Sequence, residues 1–342
     1  MIPQPIQVRQ AVPATARWQR SLADLITEPR ELLAMLGLDP ALLPAALLAS
    51  DSFRLRVPRE FVGRMRHGDA ADPLLRQVLP LGEEIIAVPG YTGDPLAESR
   101  HTRTPGLLQK YQGRVLVIVS GACAINCRYC FRRHFPYADN TPDSAHWQHV
   151  FATLAADPSI EEVILSGGDP LMVSNRRLAW IINELAAIPH LSRLRVHTRL
   201  PVVIPDRIDQ ELPGILAGSR LAPIVVIHAN HANELDNGVA TAMARLAAAG
   251  VSLLNQSVLL RGVNDSVAAL EELSRRLLSC RVLPYYLHLL DPVAGAAHFD
   301  VPESVATDLL RMLIARLPGY LVPRLVREIP DRPAKTPVTF DW

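Results

Sequence analysis

The sequence predicts an α/β fold built on a parallel sheet, and three observations carry that prediction. The first is a series of six short β-rich runs: VLVIVS (115–120), EVILSG (162–167), LRVHTR (194–199), PIVVIHA (223–229), SLLNQSV (252–258) and PYYLHLL (284–290). The second is the spacing between them, which leaves room for amphipathic crossover helices, as at 175–187, 239–249 and 266–278. The third is that several runs are almost continuously apolar, as expected for strands covered on both faces. Six strand–helix units fall short of the eight that close a barrel, so an open or partial barrel is expected, with its chemistry at the carboxyl ends of the strands.

Ahead of these units, residues 1–105 read as a mainly helical extension. Its block at 18–38 has Thr27 and Pro29 as a helix start and Gly37 as a stop. Turn-rich stretches such as VPGYTGDP separate such blocks, and no repeat of 20–50 residues occurs. The expected organisation is an extension at 1–105, a barrel at 106–320 and a C-terminal segment at 321–342. With 342 residues, 49% of them hydrophobic, the chain is long enough to bury a large core, which excludes a disordered protein. Its 35 basic and 34 acidic residues leave a formal charge of +1, so no net field draws it to nucleic acid or anionic lipid. The first twenty residues hold no apolar h-region, and no apolar run approaches the roughly 20 residues of a membrane span. A soluble, cytoplasmic protein with neither nucleic acid nor membrane as partner is expected; self-association is left open.

Two residue counts point to chemistry. Of four cysteines, Cys123, Cys127 and Cys130 fall together as C-x3-C-x2-C just after the first strand, where a barrel loop would form its site. Three thiolates leave one coordination position of a cluster unfilled. An iron–sulfur cluster, a structural zinc completed by His134, and an ordinary buried thiol group all fit the spacing, and the open position favours the cluster. Cys280, at a helix end, reads as a small buried hydrophobe rather than a fourth ligand. The second count is lysine: 33 of the 35 basic residues are Arg, leaving Lys110 and Lys335. Guanidinium cannot replace an amine that must lose its proton and attack a carbonyl, so these two positions are candidates for that role.

The C-x3-C-x-aromatic-C pattern, with Tyr129 as its aromatic, resembles the signature of radical S-adenosylmethionine enzymes. That resemblance implies a [4Fe-4S] cluster on the three cysteines, with S-adenosylmethionine on the fourth iron. Ser166, Gly167, Gly168 and Asp169 end the second strand and look like the segment whose backbone contacts the methionine moiety in that family. Alone, such a segment also reads as a strand-to-helix turn. Taken together, QKYQGRVL, CRYCFRR, ILSGGDPL, HANHANEL, NQSVLLRGVND and KTPV resemble the lysine 2,3-aminomutase family over residues 72–342. The resemblance implies a partial (βα)6 TIM-like barrel and a second cofactor, pyridoxal 5'-phosphate, with Lys335 as its Schiff-base lysine.

By position, the family's phosphate contacts fall on Lys110, Tyr111 and Arg114, and the arginine gripping the substrate carboxylate on Arg132. The acidic pair that holds the substrate ammonium falls on Asp291 and Glu328, the latter one methylene longer than the family's Asp. His228, His231, Asn255 and Gln256 are expected either to contact S-adenosylmethionine or substrate, or to be hydrogen-bonded core groups. Arg128 and Arg133 are expected to be solvated or cluster-tuning charges. No zinc is expected, because Ser266 stands where a zinc-binding cysteine would fall and the cysteine-bearing tail of longer aminomutases is lacking. The likeness is to the short bacterial branch that makes (R)-β-lysine for elongation factor P, and it implies L-lysine as substrate. It also implies an electron donor and a lysyl ligase that consumes the product.

Overall fold

Runs of Val, Ile and Leu bounded by Gly, Pro and Asp form the strands, because branched side chains suit a pleated surface and the bounding residues suit turns. The computed structural model describes residues 14–141 and 143–340. An antiparallel pair, β1 (Leu25–Ile26) and β2 (Val57–Pro58), lies apart from the main sheet. The main sheet begins with β3 (Thr102–Thr104) and β4 (Leu107–Tyr111), followed by β5 (Arg114–Ser120), β6 (Glu162–Gly167), β7 (Arg193–Thr198) and β8 (Ala222–His228). It continues through β9 (Ser252–Val258) and β10 (Leu283–His288) to β11 (Arg324–Arg327) and β12 (Thr336–Pro337).

Spatial order follows chain order from β3 to β12. Strands β5 to β11 are parallel, while β3, β4 and β12 add antiparallel edges. Among the described residues nothing pairs β3 with β12, so the sheet is an open barrel whose six central strands are the six expected. The fold is therefore α/β, a partial TIM-like barrel. Every residue of β6 is buried, which is why EVILSG shows no polar alternation.

The helices return the chain between parallel strands, and their starts are written in single residues. The side chains of Ser174, Asp236 and Ser266 accept from the backbone N–H of Arg177, Val239 and Ala269 at 3.3, 2.9 and 3.3 Å. Ser266 is thus a helix cap. Cys280, 2% exposed, ends the helix Val267–Ser279 and packs in the core.

One expectation needs correction. The block 18–38 is not one helix: Ala14–Ala23 and Pro29–Met35 are separated by β1. Glu28 rather than Thr27 takes the cap position, and Gly37, at φ +62°, follows the second helix as expected. The C-terminal segment continues the barrel sheet. Leu325 and Val326 are buried and pair with β10 as a seventh parallel strand, and Leu325 packs with the helix Glu303–Arg316. Strand β12 then folds back against β11, pairing Arg327 with Thr336 beside Lys335. This antiparallel return fixes the backbone next to that lysine.

Candidate active site

At the carboxyl ends of the parallel strands lies a cavity of about 540 Å³. All three thiols of the cysteine loop line it, and so does Lys335. The other expected cofactor and substrate residues line the same cavity: Lys110, Tyr111, Arg114 and Tyr129; Ser166, Gly167, Gly168 and Asp169; His228 and Gln256; Arg132, Asp291 and Glu328. Residues more than 200 positions apart meet there: Lys110 of β4 and Glu328, just past β11, lie 3.0 Å apart.

The cysteine loop follows β5 and is clamped from below. Arg128 donates to Glu84 through Nε at 2.8 Å and through Nη2, and Arg133 donates to the same carboxylate at 2.9 Å. Arg128 and Glu84 are fully buried, so of the two expectations for Arg128 and Arg133 the solvated one is wrong; Arg133 also pulls the Cys130 thiol down against burial. Their partner comes from the turn Gly82–Ile85, where no periodicity advertised it. Two buried cations on one carboxylate tie the extension to the loop.

Burial, and then the neighbouring Cys130, Asp169 and Cys127, push the Cys123 thiol well above its ordinary range. Burial and Cys127 push Cys130 up to about 11. Two buried thiols that resist ionisation, set beside the Cys127 sulfur, suit a positively charged body that would accept all three. Among the described residues no three His, Cys, Asp or Glu side chains are set to hold a single ion. A four-iron cube differs in placing each thiolate on a different iron, and the triad fits that group. His134 turns away from the thiols: its ring lines a separate cavity of about 300 Å³ and bonds the Ala294 carbonyl at 3.2 Å.

Glycine is required at the end of β6 for a reason internal to the protein. A Cβ on Gly168 would stand 2.6 Å from the Ala122 carbonyl oxygen, and Gly167 has φ +120°. The cysteine loop and the end of β6 can approach only without side chains. Asp169 secures the same corner. Its carboxylate accepts from the Leu171 N–H (3.0 Å), the Thr198 hydroxyl (2.7 Å), and the N–H groups of Arg199 (2.8 Å) and Leu200 (2.9 Å). Burial pushes this carboxyl up, and those four donors pull it back.

Next to this corner, Arg132 is 7% exposed and held by Glu98, with Nε and Nη2 each 2.7 Å from a carboxylate oxygen. Its Nη1 donates to Ser166 at 3.2 Å. Neighbouring strands set His228 against Gln256, in register and bonded at 2.9 Å. Burial, then Arg199 and Arg132, drive His228 down to about 3, so its ring is neutral. Sequence reasoning missed His197 and His288, which line the same cavity with Nε2 atoms that have no hydrogen-bond partner among the described residues. Asn255 and His231 do not line the cavity: Asn255 bonds Ala229 backbone and Ser257, and His231 caps Asn233. Both are structural groups.

The far wall is ionic. Glu328 accepts from Lys110 at 3.0 Å, from the Tyr111 hydroxyl at 3.0 Å and from Lys335. Burial alone would raise the Glu328 carboxyl, but the ammonium groups of Lys335 and Lys110 hold it well below the usual carboxylate range. The Arg114 guanidinium lies 4.6 Å from the centre of the Tyr111 ring. Asp291 has the opposite fate: burial and then Glu328 push it up to about 7, despite Lys335 and Lys110. Sequence position joined these residues to different ligands; the fold makes them one network.

A family model described as a 4Fe-4S single cluster domain matches residues 111–189, the stretch holding the three cysteines and the end of β6. The L-lysine 2,3-aminomutase of Escherichia coli K12 is 50% identical over 327 residues, 95% of each chain. The chain belongs to the L-lysine 2,3-aminomutase family. The L-lysine 2,3-aminomutase of Haemophilus influenzae is 47% identical over 93% of this chain and 94% of that one. That of Clostridium subterminale is 37% identical over 84% of this chain and 69% of that one. An aminomutase moves an amino group within one molecule, so members of this family are isomerases. No helix among the described residues is long and apolar enough to cross a membrane.

Proposed function

We propose that this protein is an L-lysine 2,3-aminomutase that converts L-α-lysine to (R)-β-lysine, using a [4Fe-4S] cluster, S-adenosylmethionine and pyridoxal 5'-phosphate. One observation carries the reading: the three cysteines, Lys335 and the Asp291–Glu328 wall line the same cavity. When bound, the three groups supply radical hydrogen abstraction and a carbonyl that holds the migrating amine.

The chain's own residues supply position and charge. Cys123, Cys127 and Cys130 hold the cluster, and the backbone of Ser166 to Asp169 with the neutral His228–Gln256 pair lines the place for S-adenosylmethionine. Lys335 offers the amine for pyridoxal phosphate, while Lys110, Tyr111 and Arg114 offer donors for its phosphate. The remaining N–H of Arg132 is available to the substrate carboxylate. Asp291 has no carboxylate-neutralising hydrogen bond from the protein's two lysines, which are committed to Glu328. A substrate ammonium arriving there gains an anionic partner and drives the carboxyl to ionise. Enclosure by the barrel keeps water from the reacting carbons.

Greater identity to the Escherichia coli relative (50%) than to the Clostridium subterminale one (37%) supports the short bacterial branch, in which the product is ligated to elongation factor P. A one-electron donor and a lysyl ligase are the partners this reading requires. Anaerobic, reduced protein loaded with both cofactors should form β-lysine of R configuration from L-lysine, judged by chiral analysis. Turnover of glutamate or arginine in its place would overturn the roles of Asp291 and Glu328.

A further inference from the structure

Arg199 stands at the end of β7 and is 5% exposed. Its backbone N–H is fixed by Asp169 at 2.8 Å, the carboxylate that also anchors the end of β6. From there the guanidinium spreads across the cysteine loop. Nη1 donates to Cys127 Sγ at 2.7 Å and to the Tyr129 hydroxyl at 2.8 Å. Nη2 donates to Gln77 at 2.7 Å and to Glu234 at 2.9 Å. Glu234 is fully buried and is itself held by the N–H groups of Asn230 and His231 at 2.8 and 3.0 Å. A structural ion pair would need only the Arg199–Glu234 contact. Here one terminal nitrogen is given instead to a thiol of the cysteine triad and to the aromatic residue of its motif.

We infer that Arg199 sets the reduction potential of the cluster by delivering a buried positive charge to Cys127, and that Glu234 partly cancels that charge. The inference rests on the proposed function only in taking the triad to hold a four-iron cluster. Reduction adds one negative charge to the cluster. A cation donating to a ligand sulfur stabilises the reduced form, and a carboxylate behind that cation weakens the effect. Burial leaves both charges poorly screened. The two residues therefore act on the potential with opposite signs.

Protein carrying the reconstituted cluster, without S-adenosylmethionine, is titrated anaerobically while the reduced cluster is followed by electron paramagnetic resonance. Arg199→Gln should lower the reduced-to-oxidised ratio at a fixed potential tenfold or more, which for one electron is a shift of about 59 mV. Glu234→Gln should move the ratio upward, and Arg199→Lys, which keeps the charge, should stay closer to the parent than Arg199→Gln. Unfolding or loss of iron in Arg199→Gln would leave Glu234→Gln to decide: an upward shift supports the inference, and no shift or a downward one overturns it. Shifts of the same sign in both neutral variants, at parental iron content, would also overturn it. Absence of a four-iron signal in the parent would instead count against the proposed function.

Discussion

Lowering the pH should weaken lysine binding through one carboxyl. Burial and the neighbouring Glu328 raise Asp291 from an ordinary 3.8 to about 7. A protonated Asp291 cannot pair with the substrate ammonium, so binding requires the ionised form. At pH 6 roughly one carboxyl in ten is ionised, so KM for lysine should rise about tenfold between pH 8 and pH 6. The Asp291→Asn variant should lose both the tight binding and the pH dependence. Stability supplies a second reading with its own sign. The unfolded chain releases this proton near pH 4 and the native chain near pH 7. The native state therefore binds more protons in that window, and stability falls as pH rises through it and is level above. About three pH units at 1.36 kcal/mol each set a ceiling of about 4 kcal/mol, and water in the cavity reduces it to about 2 kcal/mol. Asp291→Asn should match the parent at pH 4 and exceed it in thermal stability at pH 8. A KM that is flat from pH 6 to pH 8, together with no gain from the Asn variant, would refute the reasoning.

Other outcomes follow from single contacts. Glu84→Gln leaves two buried guanidinium groups short of their anion and should cost about 3–5 kcal/mol in chemical denaturation, against little change if the clamp were solvated. Gly168→Ala places a Cβ against the Ala122 carbonyl, so iron per chain after reconstitution should fall while helix content by circular dichroism holds; parental iron content would contradict that packing. Asp169→Asn replaces one acceptor oxygen with a donor that faces at least two of the four donors and should destabilise the fold by about 2–3 kcal/mol, read from the denaturation midpoint.

Much of this architecture was legible in the sequence because its signals are local. Strands β6 and β9 fall at the residues the apolar runs delimit; β5, β7 and β8 shift by one residue at one end or both, and β10 starts one residue earlier and ends two earlier. The cysteine motif, SGGD and KTPV are contiguous words, and the residues they name converge. What the sequence concealed depends on pairing across distance. Glu84 lies 44 residues from Arg128, and Glu98 lies 34 from Arg132, each in a stretch without a regular helix or strand pattern. With 33 arginines in the chain, charge alone cannot tell a clamp from a solvated side chain. Strand β11 escaped notice because its four residues, RLVR, are too short to carry a period. Arg199 was overlooked for the same reason as Arg128: its partners Gln77, Cys127 and Glu234 come from three separate segments.

The account depends on the last strands carrying one reactive amine into the chamber of the thiols, and the scarcity of lysine makes that directly testable. Borohydride reduction of the protein loaded with pyridoxal phosphate and cluster, followed by peptide mapping, has two side-chain amines to choose between, Lys110 and Lys335. A pyridoxyl group should appear on Lys335 and none on Lys110. Label on Lys110, or no stable label in protein that holds its cluster, would contradict it.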